Sequence, residues 1–62
     1  MSETYNGTVV DFEYHGTGVM VNEEGKKWDG TWANNAFVTG TEYDTDGTTA
    51  VATFTDGVRT AL

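Results

Sequence analysis

The sequence contains no cysteine and no proline, and only one histidine and three basic residues among 62. Without cysteine there is neither a disulfide framework nor a thiolate zinc site, and His15 alone cannot assemble a histidine-rich one. No apolar run approaches the ~20 residues of a membrane-spanning helix. The opening MSETYNG lacks the basic and apolar parts of a signal peptide, so we expect a soluble, cytoplasmic protein of a reducing compartment. The only serine is Ser2, and no glycine-rich phosphate loop opens a helix. His15 has no nucleophile to activate, and its nearest carboxylate, Glu13, lies two residues back, so it reads as a turn histidine. The chain is therefore expected to be non-enzymatic, with no cofactor and no metal. The one metal-like stretch, EYDTDG (Glu42 to Gly47), fails as a calcium loop because Thr53 stands where a bidentate glutamate would be required.

Positive charge is the other shortage. Ten acidic residues stand against Lys26, Lys27 and Arg59, for a formal charge of −7. Such a chain repels nucleic acid, whose binders set Lys and Arg against phosphates, and it repels anionic membrane surfaces for the same reason. A protein with a basic surface is the natural partner. The competing reading is that the charge serves only solubility.

Threonine, valine, aromatics and glycine are what remains, and they favour strands joined by tight turns. No stretch keeps helical periodicity over three turns. Candidate strands are Thr8 to Tyr14, Gly18 to Glu23, Lys26 to Ala33, Phe37 to Tyr43 and Thr48 to Thr55, with VRTAL able to add a sixth. The turn signals between them are HGTG, NEEG, ANNA, DTDG and TDG. Connections this short imply one all-β domain over residues 1–62, an antiparallel meander of five to six strands; a small closed barrel is the alternative.

Shifting the sequence by 22 residues places Gly18, Gly25, Trp28, Gly30 and Trp32 on Gly40, Gly47, Ala50, Ala52 and Phe54; a shift of 23 places Tyr5, Gly7 and Val9 on Trp28, Gly30 and Trp32. Glycine in mid-strand weakens a sheet unless something lies across the backbone there, most simply an aromatic ring. The expected core is therefore an aromatic row of Tyr5, Trp28, Trp32 and Phe54. The segment HGTGVMVNEEGKKWDGTW resembles a MORN repeat through His15, Gly16, Gly18, Gly25, Trp28, Gly30 and Trp32. The following copy departs from that pattern at Val38, Ala50 and Ala52. The resemblance implies about two and a half hairpin repeats in an elongated sheet used for protein interaction and, in some members, dimerisation. NGTVVDFEYHGTGVM is more weakly similar to the opening of cold-shock domains, with Phe12 and Tyr14 present but the basic residue of that pattern missing. Stacking without a positive groove makes a poor site for single strands, so no direct nucleic-acid binding is expected.

A lone sheet of this size leaves a face uncovered, since no helix is available to cover it. Val10, Phe12, Tyr14, Met20 and Val38 share the parity opposite the expected core and suggest an apolar interaction patch, which a homodimer or a larger protein would cover. The carboxylates of Asp11, Glu13, Glu23, Glu24, Asp29, Glu42, Asp44 and Asp46 fall mainly at turns and strand ends and, with Phe12 and Tyr14, form the candidate partner-binding set. Spaced carboxylates along a sheet imitate a run of phosphates. The expected function is thus a small acidic protein-binding module that inhibits or recruits its partner, of the type seen in viral inhibitors that mimic nucleic acid. The alternative is a structural, MORN-like dimerisation module.

Overall fold

The structure, a computed structural model, describes residues 3–62. Six antiparallel strands form one sheet in chain order: β1 (Thr4–Val10), β2 (Glu13–Val21), β3 (Lys27–Ala33), β4 (Ala36–Tyr43), β5 (Ala50–Thr55) and β6 (Val58–Ala61). There is no helix among the described residues. The sheet measures 32 × 28 × 14 Å and stays open, with β1 and β6 as its edges, so the closed-barrel alternative does not apply.

Three of the connections are two-residue turns whose central residues both have positive φ, as type I′ hairpins require: Asp11–Phe12, Asn34–Asn35 and Asp56–Gly57. Two of them are the ANNA and TDG signals. The first corrects the expected strand Thr8 to Tyr14, which instead folds back at Asp11–Phe12. HGTG accordingly lies within β2, and His15 is a strand residue, not a turn residue. The physical reason is register. Folding at Asp11–Phe12 sets Gly7 opposite Gly18, which in turn stands opposite Gly30, and Gly30 opposite Gly40.

That glycine row is the floor on which the core rests. The Tyr5 ring crosses Gly18, where an added Cβ would fall 2.6 Å from Cε1. Phe37 crosses Gly40 in the same way, with Cζ 2.6 Å from an added Cβ. Tyr5 stacks on Tyr14 at 3.8 Å, both meet Trp32 edge-on at 5.6 Å, Phe37 packs on Trp32 at 4.9 Å, and Phe54 packs on Phe37 at 4.9 Å. The Trp32 indole N–H donates to the Gly18 carbonyl at 3.1 Å, satisfying the one polar atom of a ring that is only 5% exposed.

Tyr5, Trp32 and Phe54 therefore stand in the aromatic core as expected, and Tyr14 and Phe37 join them. Phe37 reaches this face because a bulge at Thr31/Trp32 sets it opposite Trp32. Trp28 shares the face but lies outside the ring cluster, in register with Met20 and Glu42. The other face carries Thr17, Thr31, Thr39, Thr41 and Thr53 with Val19 and Val21, so the apolar patch expected on the second parity does not assemble. Tyr14 and Met20 belong to the aromatic face, and Phe12 leaves the sheet for a turn.

Two substitutions test this packing. Trp32→Ala removes the central ring and is expected to cost about 3 to 5 kcal/mol, enough to unfold so small a domain. Gly30→Ala drives a methyl into the backbone of Thr39 and Gly40 and should cost about 1 to 3 kcal/mol. Urea titration followed by far-UV circular dichroism measures both; a Gly30→Ala midpoint equal to that of the parent would contradict the close approach.

Candidate interaction surface

Glu42, expected to face a partner, is the most enclosed charge among the described residues. It is 3% exposed on the aromatic face, opposite Trp28 on one side and Ala52 on the other. A carboxylate there requires partners, and it has two: Lys26 Nζ at 2.8 Å and the Arg59 guanidinium, with Nε at 2.9 Å and Nη2 at 3.4 Å. Hydrogen bonding from Arg59 is the main cause holding the carboxyl at about 2 instead of 4.5; burial opposes this, and Lys26 adds to it. Lys26 also sits 5.8 Å from the Trp28 ring centroid, and Lys27 lies 4.7 Å from that of Tyr43. Every basic residue is thus engaged within the chain.

The remaining carboxylates divide by the geometry of the meander. The β2–β3 and β4–β5 connections emerge at one end of the sheet, bringing Glu23, Glu24, Asp44 and Asp46 there beside the start of β1. Asp44 and Asp46 shape their own turn. Asp46 accepts from the Thr48 and Thr49 amides at 2.9 Å and from the Thr49 hydroxyl, the largest of the effects that hold its carboxyl at about 2 instead of 3.8. The Asp44 carboxylate accepts from the Thr45 amide at 2.7 Å. Asp29 stands on the polar face between Val19 and Thr41, with Lys27 two residues back on the same face. The residues expected to bind a partner do not form one surface.

Asp11, Phe12 and Glu13 lie at the opposite end. Phe12 is 100% exposed, and Val9 and Val10 behind it on β1 are 52% and 47% exposed. Tyr14, expected beside Phe12 in the binding set, turns inward onto Tyr5 and marks the base of this projection. There the Tyr14 amide donates to Asn35 Oδ1 at 2.8 Å, and the Asn35 amide donates back to the Tyr14 carbonyl at 3.1 Å. Side-chain and backbone groups of the Asn34–Asn35 turn thereby take the place of a β-ladder and fix the first hairpin. Asn35, Lys26 and Arg59 have no binding signature in the sequence. Only an opposite charge near Glu42 could have indicated the last two, and Arg59 lies 17 positions away.

Comparison with family models, with curated proteins and with solved structures returns no match.

The depressed values at Glu42 and Asp46 set a direction for acid stability. Their interactions stabilise the folded state fully above the ordinary values of 4.5 and 3.8, and that contribution disappears as pH falls toward 2. The melting temperature is expected to drop between about pH 5 and about pH 2, and the Glu42→Gln, Asp46→Asn double variant should show a flatter profile over the same window. Melting curves at stepped pH measure this; a double variant with the parent's slope would place the acid sensitivity elsewhere.

Proposed function

We propose that this chain is a non-enzymatic protein-interaction module that binds a larger protein carrying a basic surface and inhibits or recruits it. The observation that carries the reading is the asymmetry of charge. Lys26 and Arg59 are drawn onto Glu42 and Lys27 onto Tyr43, whereas Asp11, Glu24, Asp29, Asp44, Asp46 and Asp56 are exposed. Two cations on one carboxylate leave a single positive charge at Glu42 and Lys27 keeps its own, against nine other carboxylates. The outer field is therefore negative overall and attracts a cationic surface over roughly a Debye length. A nucleic-acid enzyme or a defence system is the partner class this acidity fits, because its channel is built for phosphates. On this reading the two ends of the sheet act as separate acidic contacts, with the polar face between them.

A second reading has its own support. The edges at β1 and β6 leave unpaired backbone groups of the kind that extend a neighbouring sheet, which suits a MORN-like dimerisation module.

Binding driven by the acidic residues should weaken steeply with salt, at least about tenfold between 50 and 500 mM NaCl. A tagged-protein capture from nuclease-treated lysate, eluted in rising salt, measures this. One protein released at moderate salt supports the module. Recovery of the bait alone, running as a dimer in gel filtration, supports the structural reading.

A further inference from the structure

We propose that Phe12 is a preorganised anchor, held out on the first hairpin turn to enter an apolar pocket rimmed by Lys or Arg on the partner protein. The inference rests on the interaction-module reading and adds to it the residue that inserts and the chemistry of the receiving surface.

Three observations meet at this turn. The first is conformational. The second central position of a type I′ turn needs positive φ, which Asn, Asp and Gly accept and a bulky side chain resists. The chain provides its own comparison, with Asn35 at φ 69 and Gly57 at φ 82 in the equivalent turns and Phe12 at φ 65 in this one. The second is burial. Phe12 is 100% exposed, so no packing within the fold offsets its strained backbone. An aromatic ring that neither suits its turn nor packs against its own protein is explained by contact with another molecule. The third is rigidity. The paired bonds between Tyr14 and Asn35 tie the base of the hairpin to the neighbouring turn, so the ring is presented on a fixed support and loses little freedom when bound.

Charge selects the occupant. Asp11 and Glu13 flank Phe12 in the chain, and Val9 and Val10 precede it as exposed residues of the edge strand. A second copy of this chain is a poor match, because both would carry a charge of −7 and the basic residues are already engaged. An anionic membrane is repelled for the same reason. A protein pocket with a cationic rim satisfies both the ring and its acidic neighbours, in the arrangement of an aromatic hot spot within a polar surround.

Phe12→Gly converts the turn to Asp-Gly, the pair already used at Asp56–Gly57. It should therefore raise the melting temperature by roughly 4 to 8 °C while weakening partner binding by about 30-fold or more. A loss of binding in this variant then cannot be ascribed to unfolding. The test places the photo-crosslinking residue p-benzoylphenylalanine at position 12, irradiates it in nuclease-treated lysate, and maps the crosslinked peptide. The expected result is one dominant adduct on an apolar pocket bordered by Lys or Arg. Unlabelled wild-type protein should suppress it, and Phe12→Gly should do so only at about 30-fold higher concentration. Equal competition by Phe12→Gly overturns the anchor. If the parent protein still captures a salt-released partner in that case, the module reading survives without it. Crosslinking only to a second copy overturns the proposal in favour of a dimer contact. Binding of the parent, but not of Phe12→Gly, to neutral phosphatidylcholine vesicles overturns it in favour of a membrane contact. A melting temperature lowered by Phe12→Gly would overturn the conformational argument itself.

Discussion

Aromatic rings resting on bare glycine backbone supply here what a second layer supplies in a sandwich or barrel. A single sheet cannot bury large side chains between itself and anything else, so the rings fold down onto the sheet. Gly7, Gly18 and Gly40 remove the Cβ atoms that would hold the Tyr5 and Phe37 rings off, and Gly30 between them allows the close approach of the β4 backbone. Tyr5, Tyr14, Trp32, Phe37 and Phe54 then pack against one another in a continuous series from β1 to β5. The register of the sheet, the position of the first turn and the bulge that delivers Phe37 all follow from placing rings over glycines.

The same economy of layers decides where the charges go. With no second layer to cover it, the far end of the aromatic face would expose Trp28 and Ala52 to water. Glu42 stands between them, and Lys26 and Arg59 reach across to it, so their aliphatic stems and paired charges form a lid over the edge of the core. Pairing these cations with Glu42 has an electrostatic consequence outward. Asp11, Glu24, Asp44 and Asp46 at the two ends of the sheet face solvent, Asp44 and Asp46 with hydrogen bonds from their own turn. Cover for the core and a negative outer surface are thus one arrangement seen from two sides.

Within this frame the three type I′ turns behave as replicate experiments. Asn34–Asn35 and Asp56–Gly57 use residues matched to left-handed backbone; Asp11–Phe12 has the same geometry with a residue that resists it. A sequence that satisfies local propensity nearly everywhere departs from it at one exposed aromatic. Such a departure is informative because every other level of the structure agrees with the fold. The rigid mount provided by Asn35 strengthens the point, since a poorly chosen turn would be expected to fray.

Much of the architecture was legible in the residues alone. The all-β meander follows from β-branched and aromatic strands between short turn signals, and glycines at alternate positions beside Trp32 announced rings lying across the backbone. ANNA and TDG are turns because their residues tolerate positive φ. The first hairpin was not legible, because apolar and aromatic residues flank Asp11 on both sides and the Phe12 that follows it resists the positive φ the turn requires. Only the long-range alignment of Gly7 with Gly18 decides that the chain reverses there. Parity counting also failed where bulges intervene, which is why Phe37 was missed. Tyr14 was missed because the expected strand ran on through the turn. The charge total was determined by the sequence, but its distribution was not. That Glu42 is buried and paired by Lys26 and Arg59 while Phe12 stands free at the opposite end depends on which strands become neighbours, and pairing across a sheet is a property of the folded chain.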